Sequence, residues 1–237
     1  MIEINKKVGE TPLQALDRLR IEKPELQGER LSYAGRLDPM AEGVMLVLIG
    51  DENQDYKNHL EYDKEYVATF MLGVGTDTFD ALGMITDELT ISLTDEEIKK
   101  QIEEFKNVNV QTYPWFSAQT VDGIKLFDHF KAGNTSITRP TLDVEVYESE
   151  ILKIYKEPLD PIVQYIKEHI KLVDGDFRQE EILNKWEDYY KEHGGGEEMV
   201  LVDIRLKVSS GTYIRALVEE FSVPAILLKL KRTKIYN

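Results

Sequence analysis

The first segment with chemical potential contains a single carboxylate in a short, glycine- and proline-bracketed stretch. Asp38 lies in Gly35-Arg36-Leu37-Asp38-Pro39, shortly before the apolar run 44–49. Loops at the end of a rigid element often carry functional groups, and a carboxylate there can act as a nucleophile or a base. By its spacing alone, however, this segment favours an ordinary turn aspartate before a strand.

Two further segments combine aromatic with polar residues. Tyr66 lies in the alternating stretch 62–73, and the segment continues to Thr76-Asp77-Thr78-Phe79-Asp80. Tyr66 fits either a buried strand or a ring that stacks on a base turned out of its helix. The stretch 111–118, Gln-Thr-Tyr-Pro-Trp-Phe-Ser-Ala, is rich in aromatics and is called the aromatic loop. Such residues either pin a loop to the core or let a mobile loop grip RNA, and the spacing leaves both open.

The fourth segment ends in an arginine that could pair with a carboxylate. Arg215 closes the run 210–215, Ser-Gly-Thr-Tyr-Ile-Arg, directly after an alternating strand. A charge-assisted pair with a carboxylate contributes roughly 1.5–3 kcal/mol when shielded from water. An exposed salt bridge contributes only about 0–1 kcal/mol.

Charge and composition limit the classes of function. The 237 residues have a formal net charge of −15, which argues against a general nucleic-acid binder. The excess is uneven, because residues 205–237 carry seven Lys/Arg against two Asp/Glu. No cysteine is present, which excludes disulfides and thiolate chemistry. Without an apolar run near 18 residues or a signal peptide, the chain is expected to be cytoplasmic and to cross no membrane.

Helix caps and alternating residues predict the elements that must position these groups. Capping boxes at residues 11–14 and 94–97 predict two helices, the first with Leu13, Leu16 and Leu19 on one side. Further helices are expected from Asp160-Pro161 and over about 177–193, and the latter ends at a triple glycine. Alternation predicts strands at 66–72, 144–146 and 200–208. The mixture predicts an α+β fold with a largely antiparallel sheet.

The region 153–199 is rich in Lys, Glu and Tyr and is predicted to be a helical insertion between two strands, with the triple glycine as a flexible exit. Other catalytic motifs are missing. The sequence has no phosphate-binding P-loop and no Gly-x-Ser-x-Gly elbow. The four histidines lack the spacing of metal ligands, so no metal site is expected.

In this order, the four segments resemble the TruB family of pseudouridine synthases. The resemblance runs from about Lys6 to Tyr236 and is interrupted by the 153–199 insertion. It implies a pseudouridine synthase fold, with a mixed, largely antiparallel sheet flanked by helices and loops. It also implies a single catalytic domain over residues 1–237, without the C-terminal PUA domain of many relatives. The implied activity is isomerisation of uridine-55 in the T arm of tRNA.

The resemblance also implies roles for individual residues. Asp38 matches the catalytic aspartate, Tyr66 the tyrosine that packs against the target base, and Arg215 the arginine that pairs with the aspartate. Tyr213 matches a second active-site tyrosine, and all four are expected to be catalytic. The residues expected to bind substrate are Tyr33, Arg36, Lys64, Ser117 and Leu230. No cofactor, metal or protein partner is implied, and a monomer is expected.

Departures from the family pattern concern RNA binding more than chemistry. Tyr33 stands where many relatives have a base-flipping histidine. In and after the aromatic loop, Tyr113, Thr120 and Phe127 replace residues that are usual in the family. With the acidic balance and no PUA module, RNA binding is expected to be weak or salt-sensitive. Two alternatives stay open: an RNA-binding or tRNA-folding protein with little catalysis, and the same activity on another RNA.

Overall fold

Strands make up most of the chain's regular structure. The computed structural model describes residues 1–194 and 196–236. Its strands are β1 (Ile2–Lys6), β2 (Leu31–Ala34), β3 (Ala41–Ile49), β4 (Asp63–Leu72), β5 (Val74–Thr76), β6 (Ile85–Glu88), β7 (Val110–Thr112), β8 (Thr120–Val121), β9 (Ile124–Lys125), β10 (Thr141–Asp143), β11 (Val146–Pro158), β12 (Glu198–Val208) and β13 (Ala225–Tyr236). The helices are α1 (Pro12–Glu22), α2 (Tyr56–Leu60), α3 (Asp95–Glu104), α4 (Leu126–Lys131), α5 (Leu159–Ile170) and α6 (Gln179–His193). Short 3₁₀ helices cover Pro24–Leu26, Gly50–Asp55, Phe105–Asn107 and Ile214–Glu220.

Seven strands form one twisted sheet in the order β1-β3-β13-β4-β12-β11, and β2 also pairs with β3. Every pair in this sheet is antiparallel except β13 with β3, whose register runs from Leu230 opposite Ala41 to Arg232 opposite Gly43. The prediction of a mixed, largely antiparallel sheet is therefore confirmed. The parallel pair places the start of β3 beside β13. It therefore also brings residues 35–40, the Asp38 loop, close to β13.

Both faces of the sheet centre are buried. On one side Phe70 of β4 meets Phe105 and Phe221, with edge-to-face ring centroids 5.6–6.1 Å from Phe70. Its neighbour Met71 points the opposite way, into a second cluster that contains Trp186 of α6. Because successive side chains of a strand alternate between faces, α3 covers one face and the helices α5 and α6 cover the other.

The insertion is the tip of a long β-hairpin, so its predicted bounds were wrong. β11 continues to Pro158, which pairs with Glu198 at the start of β12, and the helical part begins only at 159. The expected half-buried alternation of β12 also fails at its start. There Met199 to Val202 are all buried, because the insertion helices cover the second face. Gly195, in the predicted flexible exit, lies outside the described residues.

The predicted helix starts are confirmed, with one error in the buried face of α1. Thr11 and Gln14 exchange both hydrogen bonds of a capping box, as do Thr94 and Glu97. Leu13 is 63% exposed, however, and Ala15 takes its place in the core. A stripe at positions i, i+3, i+4 and i+7 stays on one helix face, whereas the predicted i, i+3, i+6 spacing drifts away from it.

The starts of α5, α6 and β11 lie within two residues of their predicted positions. α5 includes Asp160 in its first turn, as expected, and α6 begins at Gln179, two residues later than expected. The strand expected at 144–146 begins at Val146, while the buried Val144 lies just before it. No helix of the described residues has both the length and the apolarity to cross a bilayer.

The insertion helices should be part of the cooperative core rather than an appendage. Ile166 of α5 is fully buried in the cluster that also contains Met40 and Leu82. We expect Ile166→Ala to lower the free energy of unfolding by about 2–5 kcal/mol, through lost burial and a residual cavity. Urea denaturation measures this. The matched change Ile21→Ala, at a side chain that is 78% exposed, should stay within about 0.5 kcal/mol of wild type. Equal effects of the two changes would contradict the shared core.

Candidate active site

The buried guanidinium of the fourth segment hydrogen-bonds to each of the other three segments. Arg215 is 4% exposed, and its Nε donates to Asp38 Oδ2 at 2.6 Å. Its Nη1 donates to the carbonyl of Thr78 at 2.7 Å, and its Nη2 donates to the carbonyl of Phe116 at 3.2 Å. Although burial opposes a charged arginine, the Asp38 and Asp80 carboxylates raise the pKa of Arg215, so the charge is retained. The expected partnership of Arg215 with Asp38 is present, and it is the shielded form.

Sequence reasoning gave Asp80 no role, although this residue ends the second segment. Its Oδ2 lies 3.7 Å from Arg215 Nε, and its Oδ1 accepts from Thr78 Oγ1 at 2.8 Å and from the amide of Leu82 at 2.9 Å. Burial raises the pKa of Asp80 to about 6, against the opposing influence of Arg215. The carboxyl is thus ionised at neutral pH and begins to protonate in mild acid. The alternation of threonines and aspartates at 76–80 is the signal that could have revealed it.

The turn that carries Asp80 is held in a conformation that few side chains adopt. Phe79 has φ +67°, in the left-handed region, which costs of order 1–3 kcal/mol for a residue other than glycine. Three hydrogen bonds hold it: Thr76 Oγ1 to Asp80 O at 2.7 Å, Leu227 N to Phe79 O at 2.8 Å, and Thr78 Oγ1 to the Asp80 carboxylate. The turn is therefore fixed from both β5 and β13.

Two buried cations bind carbonyl groups in and beside the Asp38 loop. Lys6 Nζ, on β1, donates to the carbonyls of Ala41 at 2.6 Å, Lys7 at 2.9 Å and Pro39 at 3.4 Å. Arg232, on β13, donates through Nε to Val44 O at 2.6 Å and through Nη2 to Gly35 O at 3.1 Å. Both side chains are 1% exposed. Asp38 is thus held on a short backbone clamped from two strands.

Gly43 explains how Arg232 comes so close. A Cβ at Gly43 would lie 2.2 Å from the Arg232 carbonyl oxygen, and the residue has φ +111°. Only glycine fits both the space and this backbone conformation. The glycine of Ala-Glu-Gly-Val therefore allows β3 to approach β13 directly after the Asp38 loop.

Lys64, expected to bind substrate, is 5% exposed and faces protein acceptors. Its Nζ donates to the Leu60 carbonyl at 2.8 Å and to Ser210 Oγ at 3.2 Å. Its Cε lies 3.5 Å from the Cβ position of Gly35. Burial, and secondarily Arg232, lower its pKa to about 8, and burial lowers that of Lys6 to about 8 as well. The structure thus places Lys64 beneath the Asp38 loop, joining that loop to the Ser210 turn.

The two tyrosines lie in different surroundings. Tyr66 is buried on β4, paired across the ladders with Leu206 and Arg232. Tyr213 packs edge to face on Tyr113 at 5.7 Å, and burial together with the nearby Asp38 charge raises its pKa. Tyr113, one of the departures from the family pattern, is thus a direct neighbour of Tyr213. Gln111 fixes the Tyr213 backbone by exchanging two hydrogen bonds with it, at 2.9 and 3.1 Å.

The other expected substrate-binding residues are dispersed around this centre. Leu230 is partly buried on β13 opposite Ala41, close to the Asp38 loop. Tyr33 packs on the cluster beneath α1, and Arg36 is exposed beside Leu37. Ser117 is 6% exposed, and its Oγ has no hydrogen-bond partner among the described residues. A buried hydroxyl without a partner is costly, and this one directly follows the Phe116 carbonyl that Arg215 binds.

Among the residues that the structure describes, one group of side chains could hold a cation, and it is distant in sequence from Asp38. Ligand atoms of Glu88, Glu192 and His193 lie within 4.8 Å of one another, and both glutamates are exposed. Spacing along the chain could not reveal this group, because Glu88 is remote in sequence from α6. Exposed acidic groups commonly lie together without an ion, so this cluster alone establishes no metal site.

The geometry can be compared with known proteins. A family model described as TruB family pseudouridylate synthase (N terminal domain) matches residues 23–172, more than half of the chain. This chain belongs to the TruB family. The matched part contains Asp38, Tyr66 and Ser117, and it extends into the insertion.

Curated relatives agree with this assignment. A tRNA pseudouridine synthase B of Psychrobacter arcticus is 32% identical over 162 residues, which cover 67% of this chain and 42% of the relative. One from Chloroherpeton thalassium is 27% identical over 241 residues, which cover 98% of this chain and 81% of the relative. The chain spans half or less of the length of several relatives, including the Psychrobacter arcticus protein and, at 50%, one from Fusobacterium nucleatum.

Solved structures show the same fold at low sequence identity. A chain in the crystal structure of a Cbf5-Nop10-Gar1 complex gives a TM-score of 0.57 at 19% identity, covering 99% of this chain and 48% of that chain. A chain of the archaeal box H/ACA sRNP Nop10-Cbf5 complex gives 0.52 at 18% identity, covering 99% and 47%. The fold that the resemblance implied is therefore confirmed.

Arg215 should stabilise the TruB fold in a pH-dependent way. We expect Arg215→Met to lower the free energy of unfolding at pH 7 by about 3–5 kcal/mol, because it leaves buried carboxylate without its cation. The deficit should shrink towards pH 5. The folded-state pKa of Asp80 is already about 6, above that of a free aspartate, so protonation as the pH falls favours the folded state. Removing Arg215 raises that pKa further.

Urea denaturation at pH 5 and pH 7 measures this difference. Arg205→Met is a matched control, because Arg205 pairs with Glu150 at the surface, with side chains 44% and 60% exposed. Its effect should stay within about 1 kcal/mol at both pH values. A deficit for Arg215→Met that does not change with pH would contradict the linkage to Asp80.

Proposed function

We propose that this protein isomerises uridine to pseudouridine in RNA, with uridine-55 in the T arm of tRNA as the target. The observation that carries the proposal is the Asp38–Arg215 pair, at 2.6 Å, within a chain of the TruB family. Asp38 is the one member of this centre that is both paired with a cation and partly open, because its side chain is 33% exposed. It can therefore be ionised and still reach a substrate.

The reaction breaks the N1–C1′ glycosidic bond, turns the freed uracil and rejoins it to C1′ through C5. The proton that C5 loses on forming the new bond balances the one that N1 gains. Asp38 serves either by covalent attack on the nucleotide or by removing the C2′ proton to give a glycal, and both routes require its ionised form. Arg215 pairs with the carboxylate, its Nε lying 2.6 Å from Asp38 Oδ2. It also orients Asp38, since its other donors are held by Thr78 and Phe116.

The walls of the site suit a base that must turn without leaving. Tyr66 and Leu230 supply aromatic and aliphatic surface, and Tyr213 borders the Asp38 charge. The Ser117 hydroxyl, buried without a partner among the described residues, is available to a uracil carbonyl or imide. Since the base must first leave its stack, the protein would recognise RNA by shape and by splayed nucleotides. Arg36, which is exposed in the Asp38 loop, is placed to contact phosphate.

Local charge answers the objection raised by the acidic composition. The candidate site gathers four cations, Lys6, Lys64, Arg215 and Arg232, around the carboxylates of Asp38 and Asp80. All four side chains are buried, so they contribute positive potential to the site and do not themselves contact phosphate. We therefore propose that this positive potential attracts the tRNA and that exposed cations such as Arg36 contact its phosphates. We also propose that the protein is a cytoplasmic monomer that uses no cofactor or protein partner.

Asp38→Asn tests the proposed reaction. On unmodified tRNA transcript, wild type should convert the T-arm uridine, and the variant should form no detectable product because an amide is neither nucleophile nor base. Pseudouridine mapping along the transcript measures both the amount and the position. Asp51→Asn, at an exposed aspartate beyond the other end of β3, should react like wild type.

The same mapping separates the alternatives. Wild type that binds tRNA without modifying it would support an RNA-binding or tRNA-folding protein instead. Product at another uridine would keep the chemistry and change the target. Product from Asp38→Asn equal to that of wild type would remove Asp38 from its role.

Binding should depend strongly on salt. If exposed cations such as Arg36 meet phosphates, tRNA affinity should fall linearly on a double-logarithmic plot against salt concentration, by roughly tenfold or more between 50 and 200 mM for several neutralised phosphates. Filter binding with the Asp38→Asn variant measures this without turnover. An affinity that stays flat over this range would contradict binding dominated by phosphate contacts.

A further inference from the structure

The segment between the two insertion helices reaches the candidate active site. Arg178, directly before α6, forms a two-pronged pair with Asp77: Nη1 to Oδ2 at 2.7 Å and Nη2 to Oδ1 at 3.1 Å. The Arg178 guanidinium carbon also lies 4.6 Å from the ring centroid of Phe116. One side chain of the insertion therefore touches both the turn that carries Asp80 and the aromatic loop.

These contacts are well shielded and fixed. The Arg178 and Asp77 side chains are 19% and 9% exposed. Asp77 Oδ1 also accepts from the amide of Met84 at 2.9 Å, so the carboxylate is anchored to its own hairpin. Arg178 itself has φ +63°, an unusual conformation for a residue with a side chain. Such outliers persist where the surroundings over-determine them.

A second contact leads from the same segment to the other side of the site. A Cβ at Gly9 would lie 2.5 Å from Leu172 Cβ, so the two backbones are in close contact there. The Gly9 amide donates to Pro39 O at 2.9 Å, next to Asp38. In addition, Gln14 Nε2 donates to Asp174 Oδ2 at 3.0 Å. The segment 172–178 thus contacts the turn that carries Asp80 directly, through Arg178, and the Asp38 loop indirectly, through Gly9.

We propose that the segment 172–178 is a positioning element of the active site and that Arg178 is its principal positioning residue. Arg178 holds the Phe116 ring, and the Phe116 carbonyl is one of the three acceptors that orient Arg215. Through this chain of contacts the insertion fixes the loop that carries Ser117 and limits the freedom of Arg215 behind Asp38. The inference rests on the proposed function, and it assigns to the insertion a part in that reaction.

The contacts of Arg178 require an arginine. Its planar guanidinium offers two parallel donors to Asp77 while its face packs on the Phe116 ring, which a lysine ammonium cannot do at once. We expect Arg178→Ala to lower the single-turnover rate of pseudouridine formation about tenfold, because small errors in the position of catalytic groups are costly. The dissociation constant for tRNA should change less than about threefold. Arg178→Lys should remain near the rate of the alanine variant.

Lys191→Ala is the matched control. It removes one positive charge from the far end of α6, the helix that Arg178 precedes, at a side chain that is 65% exposed and remote in sequence from the loop contacts. Its single-turnover rate should equal that of wild type. An equal loss in Lys191→Ala, full rescue by Arg178→Lys, or a rate for Arg178→Ala within twofold of wild type would each overturn the proposal.

A measurement on the free protein separates this inference from the proposed function. Trp115 is partly exposed in the aromatic loop, whereas Trp186 is fully buried, so acrylamide quenching of tryptophan fluorescence reports mainly on the loop. Arg178→Ala should raise the quenching constant about twofold, and Trp115→Phe supplies the blank. An unchanged constant would overturn the positioning role whether or not the protein is active. Wild type that forms no pseudouridine would instead overturn the proposed function.

Discussion

The charge of Arg215, buried among acceptors from separate parts of the chain, is the interaction on which the candidate site depends. A guanidinium with 4% exposure must be paired or hydrogen-bonded, because an isolated buried charge is very costly. Here the acceptors are Asp38, Thr78 and Phe116, which belong to three segments far apart in the sequence. None of these segments can move without leaving part of that charge unsatisfied, so the arginine determines how all three come together.

The surrounding cations follow a related rule with a different partner. Lys6 and Arg232 are buried against carbonyl oxygens rather than carboxylates. They therefore stabilise a short loop without neutralising their own charge on another side chain. A chain with a formal charge of −15 can in this way keep a positive centre, because its acidic residues lie mainly elsewhere on the surface. Net charge is a weak guide to a binding partner when the opposite charge is concentrated in one place.

Local patterns in the sequence predicted most elements, and apart from the helical spacing used for α1 the errors arose from non-local contacts. Thr94 and Glu97 form their capping box because that bond depends only on residues three apart. Leu201 could not be assigned to a core from alternation alone, because its burial depends on helices inserted before β12. The residues alone allowed Arg215 to pair with a carboxylate, and the resemblance to a family named Asp38 as that partner. Arg178 had no such precedent, and its contacts with Asp77 and Phe116 depend on the packing of an insertion whose position no local pattern reveals.

The β11–β12 ladder has a consequence for folding. Since Pro158 pairs with Glu198, the residues 159–197 form a closed connection whose ends meet at the tip of the hairpin. The entropy of loop closure grows only with the logarithm of length, so a connection on the order of 40 residues costs about 2 kcal/mol more than a four-residue turn. A few buried side chains such as Trp186 and Ile166 more than offset that cost. A hairpin tip is thus a place where a lineage can accept a large sequence addition without altering the strand register beneath it.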